Sequence, residues 1–286
     1  MIKIVSASHY LQPVNDDAAL TSLESALKDL CREPFRRIDR FIQLALLGSA
    51  SCAAGRKLRP NCGIYLGSGL GPIGNNIVTQ EQLIRDAEIP KPFNFINTLG
   101  SSAGFYVARN LGLQGQNFFI SRRGASLQAV LSAVMADMFL GFVTQALVGA
   151  VEEVALPLGT HRLRQHLPQD ILLAEGSHWL LLQSGAGDSR SLDLQRFAEF
   201  TALEDFLGSA WHAGDRLCCA TSMDNRVADT LRQGFAAGAL PDADGAFHDS
   251  LEAAWLAAFA AGSEPGNLFL VDGHRQRGWS LFHLGA

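Results

Sequence analysis

The stretch that decides the fold runs from Asn97 to Ser126 and reads NTLGSSAGFYVARNLGLQGQNFFISRRGAS. It begins inside a segment rich in small residues, Phe95 to Leu113, which predicts one helix. The apolar run Asn117 to Ser121 (NFFIS) then predicts a short strand, and a second helix, buried in protein, is expected from Ala125 to about Gly141. A helix, a strand and a helix in close succession are typical of an α/β fold.

The same alternation continues towards the N-terminus. The segment RRIDRFIQLALLGSASCAAG has the apolar spacing of an amphipathic helix that ends near Gly55, and Cys62 to Leu66 (CGIYL) is typical of a buried strand. The other elements expected in this half are a strand at Ile2–Ser6, a helix at Asp17–Cys31 and a strand at Leu147–Val154. Together they predict a parallel sheet covered by helices.

A shorter second half follows the basic link THRLRQHLPQD and opens with the strand HWLLLQ. Its further expected strands are Arg216–Ala220, Leu268–Val271 and Trp279–Leu284. We therefore expect two closely packed halves, residues 1–160 and a shortened 161–286. Both open with strands and contain Ala-rich helices, so they could be structural duplicates.

Composition excludes several classes of partner. The chain has 286 residues, of which 48% are apolar, and a formal net charge of −5. Its Lys and Arg residues are scattered, so neither nucleic acid nor an anionic membrane surface is an expected partner. The apolar stretch from Ala125 to Val151 carries Asp137 in its middle, which favours a helix buried in protein over a membrane span.

Cysteine and histidine usage predicts a cytoplasmic protein without a metal site. The five cysteines lack CxxC spacing, as in a reduced compartment, and the N-terminal segment is too polar for a signal peptide. The eight histidines show no metal-ligand spacing. His248 and His274 lie at predicted helix or loop edges, where surface or capping histidines are commoner than catalytic bases.

A glycine-rich segment follows the strand CGIYL. Gly69, Gly71 and Gly74 formally match the GxGxxG motif of dinucleotide sites. However, Pro72 interrupts the turn, no helix start is evident directly after it, and no acidic residue stands at the ribose position. A tight turn is therefore favoured, and no cofactor is predicted.

Residues Ile120 to Ser126 (ISRRGAS) join a strand to a helix, the position at which α/β folds can present a nucleophile. Ser121 and Ser126 are the hydroxyls there, and capping of the helix by one of them is favoured over catalysis. Arg122 and Arg123 at a helix N-terminus make an anion-friendly spot. A solvated or interface-paired arginine pair is the plainer expectation for them.

These segments resemble the β-ketoacyl synthases of fatty-acid and polyketide assembly, most clearly from Arg36 to about Val154. RRIDRFIQLAL resembles that family's helix with an Arg-Met-Asp-Arg start, and CGIYLGSGLG its strand and glycine-rich turn. NTLGSSAGFYVARNLGLQG resembles the segment before its nucleophile strand, and ALVGAVEEV a stretch after it. The resemblance implies an α/β, thiolase-like fold of two βαβαβ-type halves.

The family's chemistry is missing from these positions. The nucleophile strand of the family ends in Thr-Ala-Cys-Ala/Ser-Ser, and Gly124 occupies the position of that cysteine. His248 is the candidate remnant of one catalytic histidine, while ATSMDNRVAD stands where the other is expected. DGHRQRG replaces the closing Gly-Phe-Gly-Gly, which supplies an oxyanion donor. Without these groups condensation is not expected.

The resemblance thus implies a non-condensing chain length factor, which forms a heterodimer with an active ketosynthase and shapes its acyl tunnel. An acyl carrier protein is the second implied partner. Short subunits of this kind resemble those of aryl-polyene and xanthomonadin-type pathways. The residues expected at the interface or tunnel are Phe95, Thr98, Leu99, Phe118, Phe119, Arg122 and Arg123.

Two other functions stay open at this point. One is an acyl transferase or hydrolase on the same scaffold that uses Ser121 or His248. The other is a stand-alone module that binds an acyl chain or a carrier protein.

Overall fold

Nine strands form one sheet in the computed structural model, which describes residues 1–18, 20–220, 223–235, 250–263, 265–274 and 276–285. Their order across the sheet is β3-β2-β4-β5-β1-β6-β9-β8-β7. The strands are β1 (Ile2–Val14), β2 (Gly63–Ser68), β3 (Asn117–Ser121), β4 (Gln145–Glu152), β5 (Leu173–Ser184), β6 (Ser191–Phe197), β7 (Arg216–Cys219), β8 (Leu268–His274) and β9 (Gly278–Gly285).

The N-terminal half contributes β1 to β5. β5 contains HWLLLQ, which the expected division at residue 160 places at the start of the second half. β2 runs parallel to β3 on one side and to β4 on the other, while β5 is antiparallel to both β4 and β1. Every residue of β2 and β4 is buried, as expected for parallel strands that are covered on both faces.

The C-terminal half repeats this arrangement with β6 to β9. β7 is parallel to β8, and β9 is antiparallel to both β8 and β6, which reproduces the relations among β2, β4, β5 and β1. No strand in the described part of this half corresponds to β3. The halves join where Ile2 and Lys3 of β1 pair with Leu192 and Ser191 of β6.

Ten helices cover the sheet within the described residues. They are α1 (Glu24–Leu30), α2 (Arg40–Ala53), α3 (Ile73–Ile84), α4 (Pro92–Asn97), α5 (Ser101–Leu111), α6 (Ser126–Phe139), α7 (Leu158–Gln165), α8 (Phe200–Ala210), α9 (Asn225–Gly234) and α10 (Leu251–Ala261). The equivalent helices α6 and α10 share one apolar cluster with strands of both halves. The two halves therefore share one apolar core around α6 and α10.

Successive side chains along a strand point to opposite faces of the sheet, so they belong to different apolar clusters. Tyr65 of β2 belongs to the central cluster around α6 and α10, whereas its neighbours Ile64 and Leu66 belong to the cluster of α2 and α5. In the second half, Leu270 of β8 joins the central cluster and Phe269 joins that of α8 and α9. Helices thus lie outside each half and between them.

Several predicted elements differ from those observed. The helix expected at 17–31 is limited to α1, and β1 is longer than the predicted 2–6. The helix expected at 95–113 is divided into α4 and α5, and Gly100 lies between them against the ring of Phe119, which leaves no room for a Cβ. β6 was missed, since its alternation of apolar and charged residues (SLDLQRF) is weak. None of the described helices has both the length and the apolar content needed to cross a membrane.

Candidate functional site at the β3–α6 turn

Three parallel strands end at the same edge of the sheet, beside the turn that connects β3 to α6. Ser68 of β2 lies opposite Ser121 of β3, and Glu152 ends β4 on the other side of β2. Ligand sites of open α/β sheets form at this carboxyl edge. The turn itself contains Gly124 with a φ of +56°, a left-handed conformation that residues with a Cβ adopt at a cost.

Ser126 holds the turn in place through its hydroxyl group. Its Oγ donates to the Ser68 carbonyl oxygen at 2.9 Å and accepts from the Arg122 backbone N–H at 2.8 Å. The predicted serine cap on α6 is wrong, because Ala125 is the N-cap residue and no side chain caps the helix. Ser126 lies inside the first helical turn instead and ties β2 to the turn, which is a structural role.

The hydroxyl of Ser121 is also used within the chain. Its Oγ donates to the Gly69 carbonyl oxygen at 3.2 Å. A serine activated for attack donates its proton to a base such as histidine, not to a peptide carbonyl. His248, the other residue considered for catalysis, lies outside the described residues.

The glycine-rich turn after β2 is closed by the carboxyl groups of two consecutive residues. The Gly69 N–H donates to Glu152 at 2.6 Å, and the Gly74 N–H donates to Glu153 at 2.7 Å. These two carboxyl groups therefore occupy backbone N–H donors that a pyrophosphate would need. The expectation that no helix follows Pro72 is wrong, since α3 begins at Ile73. The hydrogen bonds of Gly69 and Gly74 to Glu152 and Glu153 are nevertheless a further argument against a dinucleotide site.

Glu152 connects the glycine turn to the second half of the protein. Besides the Gly69 N–H, it accepts hydrogen bonds from the hydroxyls of Ser68 at 3.0 Å and Ser250 at 2.8 Å. The carboxylate is buried, so these charge-assisted bonds compensate its loss of hydration. Sequence reasoning missed Glu152 and Glu153. The available signal was a pair of acidic residues at the carboxyl end of a continuous apolar strand.

A charged cluster lies behind the glycine turn. Arg40 forms an ion pair with Glu175, whose side chain is fully buried. Burial raises the pKa of Glu153 to about 8, and the nearby Asp39 carboxylate adds to this shift. Burial also raises the pKa of Asp39 to about 6. Glu153 is therefore mainly protonated at neutral pH.

A cavity of about 870 Å³ opens on the outer side of the β3–α6 turn. Arg122 and Arg123 line it, together with Arg196 of β6 and Arg277 between β8 and β9. His274, a predicted surface histidine, is exposed and lies on the same wall. The sequence signalled only the first two arginines, because Arg196 and Arg277 are brought here by the pairing of β6 with β9.

Apolar side chains are exposed on β3 and around α4. β3 pairs with β2 on one side only and has no strand partner on its other side within the described residues. Phe118 on this strand is 43% exposed, while Phe95 and Leu99 around α4 are 62% and 53% exposed. The ring of Phe119 is directed inward, where it packs edge to face against Phe41 at 6.1 Å.

The remaining predicted residue, Thr98, donates its hydroxyl hydrogen to the Phe95 carbonyl oxygen at 2.7 Å, so it stabilises the end of α4. No cluster of three or more potential metal ligands occurs among the described residues.

No protein-family model and no curated protein matches the chain. Solved structures match over nearly the whole length. The ishigamide ketosynthase/chain length factor aligns with a TM-score of 0.74 at 17% identity over 99% of this chain and 98% of that one. A type II polyketide synthase acyl-carrier protein in complex with its ketosynthase bound to the hexaketide gives a TM-score of 0.64 at 12% identity, over 100% and 99% of the two chains.

A third similar structure is a ketosynthase in complex with its chain length factor from Xenorhabdus doucetiae, with a TM-score of 0.52 at 14% identity over 99% and 100% of the two chains. The protein thus has the α/β, thiolase-like fold. Within that class, its fold is the one shared by ketosynthases and chain length factors, which confirms the predicted fold.

Proposed function

We propose that this chain is a non-condensing ketosynthase-like subunit, a chain length factor, that pairs with an active β-ketoacyl synthase and shapes its acyl tunnel. The observation that carries the proposal is Gly124. In a fold shared with ketosynthases, the turn from β3 into α6 holds a glycine with a positive φ and no side chain. Formation of an acyl-enzyme requires a nucleophilic side chain.

The hydroxyls beside Gly124 do not replace the missing cysteine. Both Ser121 and Ser126 donate to backbone carbonyl oxygens, and the buried position of Ser126 excludes a thioester from it. This supports the assignment as a partner subunit over an acyl transferase or hydrolase that uses Ser121.

The free side of β3 supports pairing with a second protein. An edge strand without a partner offers unpaired backbone donors and acceptors, and proteins usually protect such edges. NFFIS carries no charge, Phe118 on it is partly exposed, and Phe95 and Leu99 expose further apolar surface at α4. We propose that an active ketosynthase covers this surface, and that an acyl carrier protein delivers substrate to the pair.

The test is co-expression with a ketosynthase that is encoded beside this chain, followed by size-exclusion chromatography and intact-protein mass spectrometry. We expect a stable heterodimer, in which only the ketosynthase gains an acyl mass after incubation with acyl thioesters. An acyl adduct on this chain that survives denaturation would favour the enzyme hypothesis. Separate elution of the two proteins would favour a stand-alone module.

The interface is tested by Phe118→Glu. A charge on the free edge should dissociate the pair, because burial of an uncompensated charge is strongly unfavourable. Leu163→Glu on α7 is the control, since Leu163 is exposed (69%, against 43% for Phe118) and is absent from the apolar clusters next to β3. Phe119 packs inward against Phe41, so a charge at position 119 would test folding and not the interface. Unchanged elution of the Phe118→Glu complex would contradict this interface.

The product class is part of the same proposal. We assign the pair to aryl-polyene or xanthomonadin-type assembly on the basis of chain length and sequence pattern. Mass spectrometry of the products of the reconstituted heterodimer and its carrier protein tests this assignment.

A further inference from the structure

The turn that connects α6 to β4 carries three exposed apolar side chains. The sequence of residues 137–145 is DMFLGFVTQ, and within it Phe139 is 89% exposed, Leu140 62% and Phe142 67%. Single apolar residues are common on protein surfaces, whereas a group of large ones marks a binding site for a protein or a membrane. Side chains exposed this far protrude from the surface and do not line a groove. We call residues 139–142 the α6–β4 turn.

Hydrogen bonds fix the backbone of this turn. Gly141 has a φ of +78°, and its N–H donates to the Met138 carbonyl oxygen at 3.2 Å, while the Phe142 N–H donates to the Asp137 carbonyl oxygen at 2.9 Å. A left-handed glycine with these two bonds is a Schellman motif, a common end of helices. The backbone is thus ordered before any partner binds, so binding loses little conformational entropy.

Asp137 explains why Phe142 remains at the surface. In a Schellman motif, an apolar residue at the position of Phe142 often packs against an apolar residue at the position of Asp137. Here that residue is acidic, and its carboxylate accepts a hydrogen bond from the Tyr65 hydroxyl at 2.6 Å. Phe142 therefore lacks the contact that usually covers this side chain.

A basic loop lies beside the α6–β4 turn. Arg59, between α2 and β2, donates from its side chain to the Thr144 hydroxyl at 2.8 Å and from its backbone to the Gln145 Oε1 at 2.7 Å. The Gln145 Nε2 donates to the Lys57 carbonyl oxygen at 3.3 Å. Arg56, Lys57 and Arg59 are all exposed, so three cations flank the apolar side chains.

These cations are not neutralised locally. None of the three forms an ion pair within the part of the chain that the structure describes. The turn between β5 and β6 adjoins them, because the Ser184 N–H donates to the Thr144 carbonyl oxygen at 2.9 Å, and it adds one exposed acid, Asp188. The chain as a whole has a net charge of −5. The scattered Lys and Arg gave no expectation of an anionic partner, and this basic loop is the exception.

Protruding apolar side chains flanked by cations fit an anionic lipid surface. The headgroup region of a bilayer accommodates aromatic and aliphatic side chains, and its negative lipids attract Lys and Arg. A second copy bound through the same surface would place cations against cations, since a two-fold interface uses one patch on both sides. A protein partner is the alternative to separate, because Tyr65, which binds Asp137, also stacks on Phe118 of β3 at 5.3 Å.

We propose that the α6–β4 turn inserts into the surface of an anionic bilayer. Phe139, Leu140 and Phe142 enter the headgroup region, and the three cations of the basic loop contact lipid phosphates. The candidate site at the β3–α6 turn stays accessible, since β4 begins beside the inserted turn and ends at that site with Glu152. This inference does not depend on the proposed pairing with a ketosynthase.

Flotation of the purified chain with lipid vesicles tests the proposal. We expect binding to vesicles made of equal parts of phosphatidylcholine and phosphatidylglycerol. Binding to pure phosphatidylcholine should be at least about ten-fold weaker, because each cation near an anionic surface contributes roughly five-fold. Binding to the anionic vesicles should decrease as the salt concentration rises.

Two double variants separate the apolar and the electrostatic contributions. Phe139→Ser/Phe142→Ser should weaken binding to the anionic vesicles by about ten-fold or more, since a single weak signal does not give stable attachment. Arg56→Gln/Lys57→Gln should weaken it by about ten-fold and remove most of the preference for anionic lipid. Leu163→Ser is the control, because Leu163 is 69% exposed but lies on α7. All substituted residues are exposed, so the fold should tolerate each change, and circular dichroism verifies this.

Phe142→Trp reports insertion directly. Quenching of its fluorescence by phosphatidylcholine brominated on the acyl chains, mixed with phosphatidylglycerol, should exceed the quenching of the wild type. Absence of flotation with the anionic vesicles would overturn the proposal, as would unchanged flotation of the double phenylalanine variant.

A protein interface at this turn would give a different result. In that case Phe139→Ser/Phe142→Ser would dissociate the co-expressed ketosynthase in size-exclusion chromatography, Phe142→Trp would show no extra quenching, and the membrane proposal would be wrong. Failure of the pairing itself leaves the flotation of the purified chain unchanged, so the two proposals fail separately.

Discussion

Gly149 of β4 lies directly opposite Trp179 of β5, and the indole ring covers the glycine. A Cβ at position 149 would stand 2.5 Å from the ring atoms of Trp179, far inside van der Waals contact. Trp179 is fully buried in the cluster that α2 and α5 form against the sheet. The glycine is therefore required by the close approach of its neighbour and not by its own backbone conformation.

Gly149→Ala should destabilise the protein by about 1–3 kcal/mol, the usual cost of overpacking a close-packed core. Urea unfolding followed by tryptophan fluorescence measures this. Gly208→Ala on α8 is the matched control, because a Cβ there meets nothing within 4 Å and alanine favours a helix by up to about 1 kcal/mol. An equal stability of the two variants would show that the ring of Trp179 moves aside without cost.

Gly124→Cys should not produce a condensing enzyme. The φ of +56° at this position makes a side chain unfavourable by about 1–2 kcal/mol, and a histidine pair and an oxyanion hole are still needed. We expect a less stable protein without malonyl-dependent products, measured by urea unfolding and product mass spectrometry. A condensed product from this variant would mean that the other catalytic groups are present.

Glu153 should make the protein less stable as the pH rises. Its pKa is raised by burial from 4.5 to about 8. Between these values the unfolded chain releases a proton that the folded chain keeps, so the free energy of unfolding decreases with pH and levels off above about pH 8. Asp39, with its pKa raised to about 6, acts in the same direction over a lower range.

Glu153→Gln can still accept the Gly74 N–H and cannot ionise, so its stability should decrease less between pH 5 and 8, a window set by the raised pKa. Urea unfolding across that range compares it with the wild type and with the exposed control Glu24→Gln. Parallel pH profiles for all three proteins would contradict a buried, protonated Glu153.

Leu99→Ala or Phe95→Ala should lengthen the polyketide made by the reconstituted heterodimer. Their side chains are 53% and 62% exposed in this chain, so they are not ordinary core residues and their truncation should change stability by no more than about 0.5 kcal/mol. If the partner's tunnel ends against them, smaller side chains leave room for further extension, because an acyl chain cannot enter filled space.

Product profiling by mass spectrometry checks this expectation. The rate per elongation step should change little, since the chemistry resides in the other chain. Leu163→Ala serves as the exposed control. An unchanged length distribution in a stable, active complex would show that these residues do not limit the chain.

The sequence by itself determined the α/β class, the buried helix α6, the strand at Asn117–Ser121 and the glycine at the following turn. These features are local. Hydrophobic periodicity and turn residues are set by neighbours within a few positions, so a single chain displays them. The likeness to ketosynthases rests on the same local segments.

Only the tertiary structure decided which distant groups meet. The closure of the glycine turn by Glu152 and Glu153 depends on β4 lying beside β2, and the convergence of Arg196 and Arg277 on Arg122 depends on strand order and register. The structural duplication of the halves likewise appears only in the strand order. Strand order arises from the packing of whole layers around α6 and α10, a long-range property that no local pattern encodes.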